Sequence, residues 1–377
     1  MKLGNHAITK KEVGKVFLAA VLVCLCIFTT VKVRSYARNR GVGFPDTYLL
    51  AAFDTTDAAN SGTLIYYDEN FREVFRQDIP MGNSCNSFNP PIPYEDKVYV
   101  APQGRGYWHD VDEVLEIDRM TGKQKKYKTG QNYVQGMAVA EDYIFTVCNW
   151  NAVTFLARTS KEDGSVSELE YRNEYSFQMD VYGQYLYFFI DGEDEQGYTH
   201  TRCSILDIDT MKEVKSFDMT EYGRMPDYTY MKDGILYMPV SFTSDGEDCS
   251  FLLMYNTETE ELNSVDLGHK DPCQILENKG KLVITHAQLG FNEQEERSVS
   301  IYDPETGQLE NYTVESTLDQ AVIKDDLLYA LDNQEQTIFV YDMKSRGENL
   351  ELKGSYKLKS KDDFSRNRYY TGGFFMR

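Results

Sequence analysis

A repeat of about 46 residues runs through most of this 377-residue chain and constrains its fold more than any other feature. One recurring segment is a short run of Tyr, Val, Ile, Leu and Phe entered by Asp or Gly. Its seven copies begin at residues 46, 96, 142, 183, 234, 280 and 326. A second apolar segment follows each copy and ends in a turn, with turn residues Asp68, Asp118, Arg158, Asp209, Asn256, Asp303 and Asp342. Two independent markers, each present seven times, indicate seven related units.

Each unit is expected to contain four β-strands. The apolar runs are short, rich in β-branched and aromatic residues, and bounded by Gly, Asp and Asn, which is typical of strands and tight turns. No stretch after residue 40 shows a helical period over three turns. Four strands per unit and seven units predict an all-β, seven-bladed β-propeller with four-stranded blades over residues 45–377. A solenoid of the same units is the main alternative.

Two of the units resemble a known repeat family. The segments VLEIDRMTGKQKKY and VSIYDPETGQLENY are similar to YVTN-type and quinoprotein-dehydrogenase-like propeller repeats. The resemblance covers roughly residues 45–377 and implies a seven-bladed propeller with a ligand funnel on one face. The quinoprotein enzymes of this group would also need a cofactor-docking Trp in each repeat. The chain has only Trp108 and Trp150, so no quinone cofactor is expected.

The ring must close, because an open propeller leaves sheet edges unpaired. The last unit is complete by about residue 358, whereas the first unit lacks an obvious first strand. We predict that the C-terminal segment 369–377 supplies the innermost strand of blade one. Residues 41–44 are the competing candidate.

The N-terminal residues have the pattern of a membrane anchor or a signal peptide. Residues 1–15 form a basic tail, residues 16–33 an apolar segment, and residues 34–44 a linker to the propeller. A single-pass signal anchor is the favoured interpretation, with the tail in the cytoplasm and the propeller on the extracytoplasmic side. A signal peptide cleaved near Ala37, which would give a secreted protein, and a buried core helix are the alternatives.

The charge of the chain excludes one class of partner. The formal net charge is −21, and because residues 1–40 are basic the remaining residues are more acidic still. A general nucleic-acid binder needs a basic surface, so no nucleic-acid partner is expected. Self-repulsion on this scale favours a soluble, monomeric ectodomain tethered to the membrane by residues 16–33.

A candidate ligand site lies on the face that carries the long loops between second and third strands. That face is expected to carry both Trp residues and several Tyr and Arg side chains, which could bind a sugar ring or a peptide. The candidate binding residues are Arg105, Tyr107, Trp108, Gln135, Trp150, Gln178, Tyr198, Arg224, Gln274 and Gln320. The four Gln residues stand near the starts of presumed first strands, so they could ring the channel mouth or satisfy one another.

Metal sites are weaker candidates. His109, His200 and His286 fall in loops of blades two, four and six, and imidazole is a common metal ligand, but no local spacing supports a shared site. The acidic segment 191–195 could bind Ca²⁺ through hard oxygens. No cofactor is therefore expected beyond a divalent metal at one of these places.

The sequence favours a membrane-tethered binding module that catalyses nothing and recognises a cell-envelope protein or a glycan. The alternative is a propeller enzyme with its site in the central funnel, either a metal-dependent polysaccharide lyase or a hydrolase of lactones or glycans. A structural scaffold in a cell-envelope assembly is a third interpretation. None of the common catalytic motifs is present to decide between them.

Overall fold

The computed structural model describes residues 10–56, 61–85, 89–102, 111–193, 199–287, 297–344, 347–360 and 369–377, with side chains from residue 17 onward. One helix, α1 (Lys10–Asn39), precedes a series of β-strands. The strands form seven separate sheets, and each sheet corresponds to one repeat of the sequence. The predicted seven-bladed propeller is confirmed.

The first three blades follow the chain in order. Blade one contains β1 (Leu50–Thr55), β2 (Gly62–Tyr67) and β3 (Glu73–Ile79). Blade two contains β4 (Ile92–Tyr94), β5 (Lys97–Val100), β6 (Glu113–Asp118) and β7 (Gln124–Lys128). Blade three contains β8 (Gly136–Val139), β9 (Tyr143–Trp150), β10 (Val153–Ser160) and β11 (Val166–Arg172).

Blades four and five continue the ring. Blade four contains β13 (Met179–Tyr182), β14 (Tyr185–Glu193), β15 (Thr199–Asp207) and β16 (Glu213–Asp218), and a short extra strand, β12 (Glu174–Tyr175), also pairs with β14. Blade five contains β17 (Tyr230–Lys232), β18 (Ile235–Phe242), β19 (Asp248–Asn256) and β20 (Leu262–Asp266).

Blades six and seven complete the regular units. Blade six contains β21 (Pro272–Asn278), β22 (Lys281–His286), β23 (Ser298–Tyr302) and β24 (Leu309–Thr313). Blade seven contains β25 (Gln320–Lys324), β26 (Leu327–Asp332), β27 (Thr337–Asp342) and β28 (Glu351–Lys357). Successive first strands contact one another, as β8 does β13 and β21 does β25, so they surround a common axis.

The C-terminal strand closes the ring. The last strand, β29 (Tyr370–Met376), pairs with β1 antiparallel, with Ala52 opposite Phe374 and Leu50 opposite Met376. It also contacts β25 of blade seven. The predicted closing strand is therefore confirmed, and residues 41–44 lie outside the sheet.

The core lies between blades. Among the described residues, the buried apolar side chains form seven clusters, one at each blade–blade interface. In β1, Ala51 and Phe53 face blade two, whereas Leu50 and Ala52 face blade seven. Strands buried on both faces read as continuous apolar runs, which is the pattern that marks each repeat.

The turns after the third strands are stabilised by side chains. Asp118 Oδ1, for example, accepts hydrogen bonds from the N–H groups of Met120 and Thr121 at 2.9 and 2.8 Å. In blade four this role belongs to Asp207, which accepts from the N–H of Thr210 at 2.8 Å, and not to Asp209 as expected. The repeat is shifted by two residues there, and only the hydrogen bonds identify the Asp that forms the turn.

The N-terminal helix departs from the expected boundaries. Residues 17–34 are exposed, so the core-helix alternative is wrong. The helix over Phe17–Asn39 is long enough and, by composition, apolar enough to cross a membrane, and it could serve as an anchor or a signal. Within the predicted linker, residues 34–39 continue the helix, and the last turn of the helix contacts β3.

Candidate ligand-binding cleft

A cleft of about 780 Å³ opens where blades three, four and five meet. Its walls come from the β9–β10 turn, the segment joining blades three and four, the facing ends of β14 and β15, and the segment joining blades four and five. The lining residues are Asn149, Trp150, Asn151, Ala152, Val153, Asn173, Glu174, Tyr175, Asp191, Gly192, Glu193, Thr199 and Arg224. The cleft therefore lies on the face that the sequence assigned to the long loops.

A tight turn places Trp150 at the cleft. Trp150 pairs with Val153 across β9 and β10, so Asn151 and Ala152 form a two-residue turn. Both have positive φ angles, 52° and 58°, as a type I′ hairpin requires. Such a turn favours Asn followed by Gly, and Ala152 therefore carries backbone strain beside the cleft. Trp150 is 49% exposed.

A network of amides joins this turn to the opposite wall. Asn149 Nδ2 donates to the carbonyl of Ser176 at 2.6 Å, and Asn149 Oδ1 accepts from the N–H of Ser176 at 3.1 Å. Gln135 Oε1 accepts from Asn149 Nδ2 at 2.5 Å and from the Asn149 N–H at 2.8 Å. These bonds hold the segment before β13 against β9, so Tyr175 stands near Trp150.

The second wall carries an aromatic and an ion pair. Tyr175 is 44% exposed, and its ring centroid lies 5.9 Å from that of Phe177. Its neighbour Glu174 accepts a hydrogen bond from Arg202 Nη2 at 3.2 Å, and Arg202 also contacts Glu213 at 3.2 Å. The β12–β14 pairing fixes both residues of this wall, because Glu174 and Tyr175 lie opposite Gly192 and Asp191.

The remaining wall is polar and charged. Asp191 Oδ1 accepts hydrogen bonds from the Thr201 hydroxyl at 2.7 Å and from the N–H of Met225 at 3.2 Å. Burial raises the pKa of the Asp191 carboxyl, while these two donors and the nearby Arg224 oppose the rise. Arg224 is exposed in the cleft lining. The cleft thus offers two aromatic faces, several amides, carboxylates and one guanidinium.

Only part of the predicted calcium-binding segment, residues 191–195, is described by the structure. Residues 191–193 belong to β14 and are not part of a loop. A Cβ atom on Gly192 would lie 2.5 Å from His200 Cε1 and Nε2, so the imidazole lies close across this glycine. The rest of segment 191–195 lies outside the described residues.

The structure brings some of the predicted site residues together. Trp150 and Arg224 line the cleft, Gln135 supports it, and His200 lies beside it through Gly192. Gln178 donates instead to Asp180 Oδ2 at 2.9 Å. The candidates Arg105, Tyr107, Trp108, His109 and Tyr198 lie outside the described residues.

Two of the four predicted glutamines join blades. Gln274 Nε2 donates to the carbonyl of Ala321 at 2.9 Å, and the N–H of Ala321 donates back to Gln274 Oε1 at 2.7 Å. Gln320 bonds Phe374 of β29 in the same way, at 2.9 and 2.8 Å. Both amides are buried and satisfy the backbone of the next innermost strand. For Gln274 and Gln320, the hypothesis that the four glutamines satisfy one another is therefore wrong, because both bond to backbone groups of the next blade.

One of the three candidate metal-ligating histidines, His286, is occupied by protein partners. His286 is fully buried, with Nδ1 2.8 Å from the carbonyl of Lys270 and Nε2 2.7 Å from Ser300 Oγ. Both ring nitrogens are thus engaged by protein groups. Within the described part of the chain, no group of three or more His, Cys, Asp or Glu residues could hold a metal ion.

Sequence reasoning missed two acidic groups near the axis. Burial raises the pKa of Asp180, on innermost strand β13, to about 7, against hydrogen bonds from Thr229 and Gln178. Burial and the neighbouring charge of Asp271 raise the pKa of Asp227 to about 6.

Sequence reasoning also missed the wall residues Glu174 and Tyr175. The sequence offered a partial signal for Glu174 and Tyr175, because both lie just before the first strand of blade four.

Comparison with known proteins supports the fold. No family model and no curated protein matches the chain. A candidate 6-phosphogluconolactonase of Bacteroides fragilis has 12% identity and a TM-score of 0.54, over 88% of this chain and 98% of its own. A protein of unknown function from Desulfotomaculum acetoxidans has 11% identity and a TM-score of 0.58, over 86% and 98% of the two chains. AztD of Citrobacter koseri has 6% identity and a TM-score of 0.51, over 88% and 99%. At these identities the similarity defines the class, a seven-bladed β-propeller, and nothing narrower.

Proposed function

We propose that this protein is a membrane-tethered, extracytoplasmic propeller that binds a glycan segment in the cleft between blades three, four and five. The observation that carries the proposal is the pair of half-exposed aromatics, Trp150 and Tyr175, in the lining of one polar cleft. Aromatic rings offer a large contact area for sugar faces at a low cost in conformational entropy.

The polar lining supports a sugar ligand. Asn173, Glu174 and Arg224 supply donors and acceptors of the kind that hydroxyl groups require, and a binding site of this type needs only a few of them to fix orientation. The amide network through Gln135 and Ser176 holds both aromatic walls before any ligand arrives. A preformed site loses less entropy on binding.

The test is a binding measurement on the full chain in detergent micelles. The probes are tetramers of β-1,4-linked N-acetylglucosamine, glucose and galacturonic acid, titrated by calorimetry. We expect at least one probe to bind, and Trp150→Ala and Tyr175→Ala each to weaken it about tenfold, or ~1.4 kcal/mol. Trp150→Phe should retain most of the affinity.

Met120→Ala is the matched control, because this side chain is 47% exposed but lies in blade two, away from the cleft. It should leave binding unchanged. If none of the three probes binds with a Kd below about 1 mM, the glycan assignment is refuted. Binding that is insensitive to both aromatic substitutions would also refute it.

A second candidate function is hydrolysis of such a glycan. The observation that favours it is the pair of carboxyl groups near the axis with raised pKa values, Asp180 and Asp227, because a carboxyl that stays protonated near neutral pH can act as a general acid. Neither carboxyl lines the cleft, so this function requires a glycan that extends from the cleft to the central axis. Incubation of the bound tetramer with the protein, followed by mass spectrometry of the products, separates the two functions. Cleavage that Asp227→Asn abolishes would support the enzyme.

A further inference from the structure

The last turn of α1 is tied into the propeller by one buried side chain. Gln77 of β3 has no exposed surface. Its Nε2 donates to the carbonyl of Arg38 at 2.8 Å and to the carbonyl of Gly122 at 2.7 Å, and its Oε1 accepts from the Tyr66 hydroxyl at 2.7 Å. One amide thus joins the helix, blade one and the β6–β7 turn of blade two.

The chain that leaves the helix is packed just as closely. Gly41, two residues after the end of the helix, has a φ of 79°, and its N–H donates to the carbonyl of Arg38 at 2.8 Å. A Cβ atom on Gly41 would lie 2.2 Å from the carbonyl oxygen of Thr121, so only glycine fits. A Cβ atom on Gly122 would lie 2.3 Å from the ring of Phe44.

Phe44 completes the contact from inside an aromatic cluster. Its ring centroid lies 5.1 Å from Tyr66, 5.5 Å from Phe75 and 5.8 Å from Tyr48, each in an edge-to-face arrangement. The guanidinium of Arg38 stands 5.7 Å from the Phe75 ring. Residues 38–44 are therefore part of the folded domain, and we call the set Arg38, Gly41, Phe44, Gln77 and Gly122 the clasp.

The clasp lies close to the end of the apolar segment. Lys32 and Arg34 are the first charges after the uncharged run, where they can reach lipid headgroups. From Lys32 to Asn39 the helix rises only about 10 Å at ~1.5 Å per residue. No flexible segment separates the apolar helix from the propeller, because the helix is continuous from Lys10 to Asn39.

We propose that the clasp makes the membrane helix and the propeller one rigid body, with blades one and two beside the lipid headgroups and the cleft on the distant side. In a ring of seven blades, blades four and five lie opposite blade one. The Trp150–Tyr175 cleft lies where blades three, four and five meet. The strongly acidic propeller would be repelled by anionic lipid, so a rigid attachment would be needed to hold it there.

Energy transfer to the membrane tests this orientation. The full chain carries Cys24→Ala, Cys26→Ala and Cys148→Ala, because these three free thiols are not buried, and it is reconstituted in nanodiscs of phosphatidylcholine and phosphatidylglycerol with a rhodamine headgroup lipid. A donor dye is attached at Asn70→Cys in the exposed turn of blade one, or at Val214→Cys, a 50% exposed position in blade four. We expect transfer to be at least twofold more efficient from position 70.

Two changes test whether the clasp causes the difference. A six-residue Gly-Ser insertion between Arg34 and Ser35 leaves the propeller and its clasp intact, so folding is preserved, and should abolish the difference. Gln77→Ala combined with Phe44→Ala should reduce it. The same insertion after Asp163, in an exposed turn of blade three, is the control and should leave it unchanged.

Three results would overturn the proposal. Equal transfer from the two positions in the parent protein would show that the propeller has no fixed orientation. Greater transfer from position 214 would show that blade four, and not blade one, lies at the membrane. A difference that survives the insertion at residue 34 would show that something other than the helix holds the propeller. None of these results depends on whether the cleft binds a glycan.

Discussion

The Gln320 side chain provides a direct test of how the ring is held shut. This residue begins the innermost strand of blade seven and is only 4% exposed. Its amide makes two hydrogen bonds to Phe374 of the C-terminal strand, which closes blade one. Gln320→Ala would remove the partners of one backbone N–H and one backbone carbonyl at the joint where the two ends of the propeller meet.

The size of the effect follows from these two groups. A buried polar group that loses its partner costs about 1–3 kcal/mol. Two such groups, partly rescued by water entering the space, give a loss of about 2–4 kcal/mol in the free energy of unfolding. With an unfolding entropy of ~2 cal/mol/K per residue, a propeller of this size should melt about 3–6 °C lower.

The assay is thermal unfolding of the full chain in detergent micelles, followed by intrinsic fluorescence. Gln308→Ala is the matched control, because that side chain is exposed in a blade-six turn, and it should shift the free energy by less than about 0.5 kcal/mol. Gln320→Glu keeps the side-chain size but loses the donor to the Phe374 carbonyl, so it should also destabilise. A Gln320→Ala protein that melts with the control would refute the reasoning.

Three further predictions concern the ring, the axis and the cleft turn. Ending the chain at Tyr369 removes β29 with its buried Phe374, and calorimetry should then show no cooperative transition; a transition at the parent temperature would contradict this. The raised pKa of Asp180, about 7, means that the unfolded state ionises at lower pH than the folded state, so its contribution to stability is present below about pH 4 and is lost as pH rises to about 7. The melting temperature of Asp180→Asn relative to the parent should therefore increase between pH 4 and pH 8, and the opposite trend would refute the assignment. Ala152→Gly relieves a φ of 58° and should raise the free energy of unfolding by about 0.5–1 kcal/mol in urea titrations; a loss of stability would show that the turn is unstrained.

The propeller was largely predictable from the sequence because its strands are buried on both faces. Leu50 to Phe53 alternate between two interfaces, so every position in the strand is apolar and the repeat is visible along the chain. The closing strand was predictable for a related reason. A ring with one unit short of a strand needs a partner, and the apolar segment around Phe374 was available near the C-terminus.

The cleft was only partly predictable. Trp150 is unusual enough to attract attention in the sequence, and its position in a loop between second and third strands assigned its face. Tyr175 was missed because it lies in a connection between blades, where no repeat marks it. What brings the two together is the pairing of Asn149 with Ser176, and an amide network of this kind leaves no periodic trace.

The sequence by itself determined the number of blades, the four-strand unit, the closing strand and an apolar N-terminal helix, because each depends on local periodicity or on the need to pair a sheet edge. The tertiary structure decided the rest. Gln274 and Gln320 could equally have lined a channel, and only the position of the neighbouring backbone makes them joints between blades. Likewise residues 34–44 read as a linker until Gln77 and Gly122 are placed around Arg38 and Phe44. These contacts join residues far apart in the chain, so no local pattern in the sequence reveals them.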